Sequence, residues 1–321
     1  MSLSPLQFEA AQSPMWTSFA EQLATAELGN PVDGALLAAR YRRVCEQLAL
    51  AQSRAYPLHL VARLEALAQR AHPLIYRRQD FGLARFGELL RRDIPRGVRA
   101  EGRLVLLALL IFVLPLIVAL ALAWKSPDFA LRLLDASQLR EYEQMYADAR
   151  HLGRMRQAGS DWMMFGFYIY NNVGIGFRTF GTGILAAVGS MFTLVYNGLH
   201  IGAVAGHLTR VGLGHNFWPF VVTHSAFELT GIVLSGAAGM RLGLRLLMPG
   251  RRRRLDALRV AAGEAMPLVW AAFFLLVVAA VFEAFWSPAA WIAPQVKYAV
   301  AGVCWLLVIG WLLWMGRGHA R

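Results

Sequence analysis

Two side chains that could do chemistry lie in a stretch that is otherwise apolar or small, VVTHSAFELTGIVLSGAAGM at residues 221–240. His224 and Glu228 are one helical turn apart, so a helix puts the imidazole and the carboxylate on one face. A charged and unpaired carboxylate inside a bilayer costs at least about 2.5–3.5 kcal/mol. Glu228 must therefore be protonated, paired with another group or bound to a ligand.

Three interpretations of this pair stay open. Glu228 could accept hydrogen bonds from neighbouring Asn and His side chains and so lock a helix bundle together. It could bind a metal such as Zn²⁺ together with His224 and His200, because zinc favours imidazole nitrogen and carboxylate oxygen. The pair could also line an outward-facing cavity for a proton, an ion or a polar lipid head group.

Other catalytic patterns are absent from the sequence. It has no nucleophile elbow and no phosphate-binding loop. Glu283 in VFEAFW is interpreted as an interfacial residue rather than as a second acid. The sequence therefore favours a role that is not enzymatic without deciding the question. Apart from the zinc hypothesis, it indicates no cofactor.

The elements that must position these residues are transmembrane helices. Hydrophobic residues make up 57% of the 321 residues and charged residues 16%, against about 25% charged residues in soluble proteins. The apolar excess begins at residue 104. The net charge is +12, but its arginines cluster beside the apolar runs, which indicates membrane orientation rather than nucleic acid as a partner. We predict an all-α fold, a polytopic transmembrane bundle of about six spans with an N-terminal cytoplasmic helical domain.

The predicted organisation has five parts. They are a cytoplasmic helical domain (1–103), a first transmembrane helix (104–124), an outer-side amphipathic connection (125–160), transmembrane helices two to six with a polar core (161–316) and a cytoplasmic tail (317–321). Arginines precede residue 104 and follow residue 240, which predicts a multi-pass protein of the bacterial inner membrane with both termini in the cytoplasm. The second run is short and rich in glycine, so it could span fully or re-enter on the same side.

Helical periodicity also describes the parts outside the apolar runs. In the head, Pro14 is expected to break the first helix, and a fourth helix, FGLARFGELLRRDI, leads to the membrane. The connection carries apolar and aromatic residues at helical spacing, which predicts a surface helix lying on the bundle. These residues are Tyr142, Met145, Tyr146 and Ala149.

Six polar side chains of three successive runs fall at one predicted depth. At about 1.5 Å per residue they lie about 9–15 Å from the outer ends of their helices. The predicted polar intramembrane cluster comprises Asn171, Asn172, Asn197, His200, His224 and Glu228. Small residues at intervals of three and four predict close helix packing. These packing positions are Gly198, Gly202, Gly206, Gly231, Ser235 and Gly239.

At these residues the chain resembles the stage II sporulation protein M family. THSAFELTGIVLSGAAGMRLG is similar to the family's His-x-x-x-Glu helix, and NNVGIGFRTFGTGILAAVGSMFTLVYNGLHIGAV to its paired-Asn and Asn-Gly segments. FEAAQSPMWTSF, YRRVCEQLALAQSRAYP and RAHPLIYRR are similar to its cytoplasmic portion, so the resemblance covers most of residues 7–245. Thr223 and Ser225 stand where the family pattern has Pro and Gly.

The resemblance implies a scaffold for peptidoglycan-related proteins in assembly or remodelling of the cell envelope. Its expected partners are membrane lipids and envelope proteins, which would dock on the head, at residues such as Tyr41 and Arg42, and on the outer-side helix. A transporter or lipid flippase that uses the His, Glu and Asn residues is the alternative. An intramembrane metal-dependent hydrolase is a third hypothesis.

Overall fold

The computed structural model describes residues 4–75, 82–147 and 161–317, and every regular element in these ranges is a helix. The predicted all-α class is therefore confirmed. The chain divides into two compact units, Met1–Arg85 and Phe86–Arg321. The first unit thus ends at residue 85, whereas the sequence predicts that the head ends at residue 103.

The first unit is a bundle of three helices around its own core. Helices α1 (Pro5–Glu27), α2 (Gly34–Ser53) and α3 (Leu58–Ile75) each bury one apolar stripe. Ser4 and Asp33 cap the first two helices by accepting hydrogen bonds from backbone N–H groups of the first turn. The core residues are Phe8, Trp16, Phe19, Leu23, Leu37, Val44, Ala51, Tyr56, Leu60, Leu64, Leu67 and Ala71.

The expected break at Pro14 is wrong, because α1 runs without interruption from Pro5 to Glu27. Proline removes one backbone hydrogen bond. Burial of the large side chains on either side holds the helix together here, since Phe8 is 4% exposed and Trp16 is fully buried. The Trp16 indole donates to Gln47 Oε1 at 2.6 Å and ties α1 to α2.

The second unit contains the long apolar helices. Helix α4 (Leu83–Glu88) contains the boundary between the units. The elements that follow it are a π-helical turn (Leu89–Asp93), α5 (Ile94–Ala100), α6 (Gly102–Lys125), α7 (Pro127–Leu133), α8 (Ala136–Ala147), α9 (Asp161–Gly181), a 3₁₀ turn (Thr182–Ile184), α10 (Val188–Arg210), α11 (Gly214–Leu247), α12 (Arg254–Val281), a second π-helical turn (Phe282–Trp286) and α13 (Pro294–Trp314).

Within the described ranges, five helices are long and apolar enough to cross a membrane: α6, α10, α11, α12 with its π-helical turn, and α13. This confirms a polytopic bundle. The second predicted span corresponds to α9, which is not among the five. Tyr170, Asn171 and Asn172 interrupt its apolar sequence, although at 21 residues it has the length of a span.

Contacts between the helices fix their directions. Gly198 of α10 lies against Phe112 of α6, and Gly206 lies against Leu120. The contacts follow the same order along both helices, so α6 and α10 are parallel. By the same comparison, α9 is parallel to α11 and antiparallel to α12. Helix α9 runs unbroken from Trp162, whose ring packs on Phe285, to the turn beside Gly239. Helices α6, α10 and α12 therefore run one way, and α9, α11 and α13 the other.

Helix α5 belongs to the bundle rather than to the head. A Cβ atom built at Gly97 would lie 2.3 Å from the Pro267 side chain, which shows how closely α5 approaches α12. Arg99 donates to the carbonyl oxygens of Leu312 and Met315, both at 2.8 Å, at the end of α13. The last carbonyl groups of a helix have no partner within the helix, and here a guanidinium group supplies one. This packing explains why the second unit begins at Phe86.

Candidate functional site

Glu228 and His224 lie on the inner face of α11, where the sequence pattern put them. The His224 side chain is buried, while 18% of the Glu228 side chain is exposed. Their nearest atoms, His224 Nε2 and Glu228 Oε2, are 3.7 Å apart, which is beyond a good hydrogen bond. The ring of Phe220 packs edge-on against His224 with 5.6 Å between centroids.

The other nitrogen of His224 contacts the end of α12. His224 Nδ1 and Ser287 Oγ are 2.9 Å apart, and the carbonyl oxygen of Ser287 accepts a hydrogen bond from Lys297 Nζ at 2.7 Å. Ser287 is fully buried and follows the π-helical turn Phe282–Trp286, whose wider coil sets the direction of the chain there. Three helices, α11, α12 and α13, thus meet at one serine.

A second carboxylate lies in the same region. Glu283, in the π-helical turn, accepts a hydrogen bond from Asn172 Nδ2 of α9 at 3.0 Å. Asn171 Nδ2 donates to the side-chain oxygen Oδ1 of Asn172 at 3.1 Å. The ring of Phe282 stacks on that of Phe227 in α11 with 5.1 Å between centroids, so the residues that precede Glu283 and Glu228 are in contact. We call the whole group the Glu228 cluster: Asn171, Asn172, His224, Glu228, Glu283, Ser287 and Lys297.

Two of the predicted cluster residues make their contacts elsewhere. His200 Nε2 hydrogen-bonds to the hydroxyl of Tyr142 at 3.0 Å, and Asn197 donates to the Thr193 carbonyl of its own helix at 2.7 Å. No three His, Cys, Asp or Glu side chains of the described residues form a group that could hold a metal ion. The zinc ligands that the sequence suggested, His200, His224 and Glu228, therefore do not form such a group in the structure. A predicted depth along the helix axes does not determine which way each side chain faces.

Helix α8 covers this end of the bundle. Besides the Tyr142–His200 contact, Glu143 Oε1 lies 2.7 Å from His207 Nε2 near the end of α10. The ring of Tyr146 packs edge-on against Phe217 of α11, and Asn216 donates to the Tyr146 carbonyl oxygen at 2.8 Å.

The pKa of the Tyr146 phenol depends on its burial between α8 and α11 and on nearby acidic side chains. Burial raises the pKa of Tyr146 well above its usual range, and the negative charges of Glu283 and, less strongly, Glu228 add to this shift. Tyr146 is therefore a protonated phenol at neutral pH. Among the four predicted surface-helix residues, Ala149 lies outside the described residues.

The small residues proposed for packing lie at close helix contacts. Gly198, Gly202 and Gly206 form the surface of α10 that meets the backbone of α6. A Cβ atom at Gly202 would lie 2.2 Å from the Leu116 carbonyl oxygen. Gly231 faces Leu276 of α12, and Gly239 faces the turn before α10 and the Ser190 hydroxyl, while Ser235 Oγ lies against Gly176 of α9.

Three members of the Glu228 cluster were missed by sequence reasoning. Glu283 was interpreted as interfacial because it lies near the end of an apolar run. Ser287 and Lys297 fall beside the turn between the last two runs, where polar residues are ordinary. The available signal in the sequence was a lysine, Lys297, at the start of an apolar run, because charged groups at membrane depth are rare without a partner.

The cluster can do two things chemically. Its amide, imidazole, hydroxyl and ammonium groups join four helices by hydrogen bonds, which in membrane proteins contribute on the order of 0.6–2 kcal/mol each. Its two carboxyl groups, Glu228 and Glu283, can also each take up or release a proton.

Comparison with known families gives two matches. The family model described as "Stage II sporulation protein M" matches residues 108–288, more than half of the chain. The model described as "Domain of unknown function (DUF8413)" matches residues 6–77, so the head corresponds to a family model of its own. The first match extends past residue 245 and includes Glu283 and Ser287. No curated protein and no solved structure matches the chain.

Proposed function

Because the chain belongs to the stage II sporulation protein M family, we propose that this membrane protein is a scaffold for proteins that assemble or remodel the bacterial cell envelope. The observation that carries the proposal is that the polar groups of the bundle make contacts between its own helices. His224, Asn172 and Lys297 each bond to a residue of another helix or turn. Such bonds hold helices in place, as a scaffold requires.

The exposed surfaces of the head and of helix α8 supply the two docking surfaces of this scaffold. The head has its own hydrophobic core and helix caps, so its exposed residues lie on a folded surface. Arg42 and Arg43 project from α2 as adjacent exposed cations. On α8, Arg140 is exposed, next to the buried Leu139.

We place the protein in the inner membrane with six crossings and both termini in the cytoplasm. Arg241 of α11 bonds to Glu101 at 3.2 Å, at the start of α6, and Arg99 bonds to the end of α13. The arginine-rich segments therefore gather at one end of the bundle, and arginine-rich ends face the cytoplasm. Labelling of single-cysteine variants with an impermeant maleimide tests this: Arg140→Cys should react from outside the cell, and Arg252→Cys should not.

Site-specific crosslinking in the living bacterium tests the scaffold. A photoreactive amino acid at Arg42 should capture an enzyme that synthesises or hydrolyses peptidoglycan, or a protein that regulates one. The double variant Arg42→Glu, Arg43→Glu should lose this crosslink while it inserts into the membrane normally. A reactive group at the exposed Gln69 of α3, on another helix of the head, is the matched control for non-specific capture. Crosslinks that persist in the double variant would contradict a partner surface on the head.

One observation favours a second candidate, a proton- or cation-coupled transporter. Glu228 and Glu283 directly follow the stacked rings of Phe227 and Phe282 on two contacting segments of the bundle, and the Glu228 side chain is 18% exposed. Purified protein in liposomes would then dissipate an imposed pH or sodium gradient, and Glu228→Gln would abolish this flux without loss of folded protein. The scaffold predicts no flux above that of empty liposomes for either form.

A further inference from the structure

The strongest uncompensated charge on the bundle lies at the turn between α11 and α12. Seven arginines and one aspartate occur between residues 241 and 259, and four of the arginines are consecutive, from Arg251 to Arg254. All four side chains are exposed. The backbone N–H of Arg252 donates to the Pro249 carbonyl at 3.3 Å, and Gly250 has a φ of +65°, so the chain reverses tightly and presents the arginines together.

The acids near this turn already have partners. Arg241 bonds to both Glu101 and Glu264, and Asp256 lies 3.6 Å from Arg259. Arg251–Arg254 pair with no acid in the part of the chain that the structure describes. The four guanidinium groups therefore form a surface that is complementary to an anion.

Apolar side chains beside the arginines indicate which anion. Leu247 and Met248, at the end of α11, are 56% and 65% exposed, and Leu255, in the first turn of α12, is 59% exposed. These side chains continue the apolar surfaces of two helices that are apolar enough to span a membrane. An acidic phospholipid matches both features, since its phosphate can meet guanidinium groups while its acyl chains cover the leucine and methionine side chains.

We propose that Arg251–Arg254, with Leu247, Met248 and Leu255, form a binding site for acidic phospholipids. We call it the arginine turn. A basic residue near an anionic membrane surface contributes ~1 kcal/mol, which is about fivefold in affinity. Four residues acting together should therefore favour an anionic over a zwitterionic head group by at least about a hundredfold. The site does not depend on whether the protein is a scaffold or a transporter.

The test uses the full-length protein in a neutral detergent, with short-chain phosphatidylglycerol or phosphatidylcholine added. Binding is measured directly and from the rise in thermal stability that a ligand specific for the folded state produces. The variant with Arg251, Arg252, Arg253 and Arg254 all changed to Gln removes the site. A control variant with Arg42, Arg43, Arg132 and Arg140 changed to Gln removes the same charge from exposed positions elsewhere. Replacement of the four turn arginines by Lys keeps the charge.

The wild type, the control variant and the Lys variant should prefer phosphatidylglycerol, and added salt should weaken this preference. The Gln variant of the turn should lose the preference by at least about a hundredfold while it remains folded. Equal binding of both lipids by the wild type would overturn the proposal, as would an unchanged preference in the Gln variant. Loss of the preference in the control variant would show that net charge, not the arginine turn, selects the lipid. Binding of a soluble acidic peptide without any lipid preference would assign the turn to a protein partner and would also overturn it.

Discussion

The substitution Gly202→Ala tests the closest helix contact of the bundle. A Cβ atom at Gly202 would lie 2.2 Å from the Leu116 carbonyl oxygen and 3.0 Å from the Ala119 Cβ. Real Cβ atoms do not approach other heavy atoms within 3.0 Å. Because the nearest atom belongs to the backbone of α6, no side-chain rotation relieves the clash. Helices α6 and α10 must therefore separate by roughly 0.8 Å.

This separation gives the magnitude of the effect. A radial gap of about 0.5–1 Å forfeits a quarter to a half of the dispersion energy at each contact, and overpacking typically costs about 1–3 kcal/mol. We expect Gly202→Ala to lower the free energy of unfolding by that amount. The double variant Gly198→Ala, Gly202→Ala should cost less than the sum of the single changes, because the helices are already apart after the first.

Reversible unfolding in mixed micelles, followed by circular dichroism, measures this loss. Gly302 of α13 is the matched control, because a Cβ atom there meets nothing within 4 Å. Gly302→Ala should leave stability unchanged or raise it by up to ~1 kcal/mol, since alanine is the better helix former. A Gly202→Ala protein as stable as Gly302→Ala would refute the close approach of α6 and α10.

Three further substitutions test other parts of the structure. Trp16→Ala should lower the free energy of unfolding of the head by about 3–5 kcal/mol. Hydrogen exchange in the bundle should not change, because the two units have separate cores. Accelerated exchange in the bundle would contradict this. Arg99→Gln should increase hydrogen exchange at the end of α13, because two carbonyl groups lose a charged donor; unchanged exchange there would count against the contact. Hydrogen bonds from Arg70 lower the pKa of Glu27 in the folded head. The pair therefore stabilises the head fully at pH values above the pKa of the unfolded carboxyl group. This contribution is lost as the pH falls through the lower pKa of the folded state. Glu27→Gln should remove this part of the pH dependence of head stability, and an unaltered pH profile would argue against the pair.

Much of the fold could be predicted because it follows from hydrophobicity and helical period. The apolar runs located five spans. Helix boundaries were less accurate, since polar turns at the membrane surface continue helices beyond their apolar parts. Helix α11 extends from Gly214 to Leu247, beyond both ends of the apolar stretch 221–240.

The candidate site could be predicted only in part. The spacing of His224 and Glu228 within one helix follows from the helical period. The grouping of His200 with Glu228 required the rotation of α10 relative to α11, which depth along the axis does not provide. Glu283 and Ser287 join the site through a π-helical turn, a local change of helical geometry for which the sequence offered no clear pattern.

Complementation in cells that lack the protein tests the central claim most directly. Two variants are compared, each at normal abundance in the membrane: Glu228→Gln, which removes the charge but keeps hydrogen-bonding capacity, and Arg42→Glu with Arg43→Glu, which alters the head surface. The scaffold predicts that the Glu228 variant restores normal envelope growth and that the head variant does not. An inactive but folded Glu228 variant beside a fully active head variant would contradict the scaffold and favour transport.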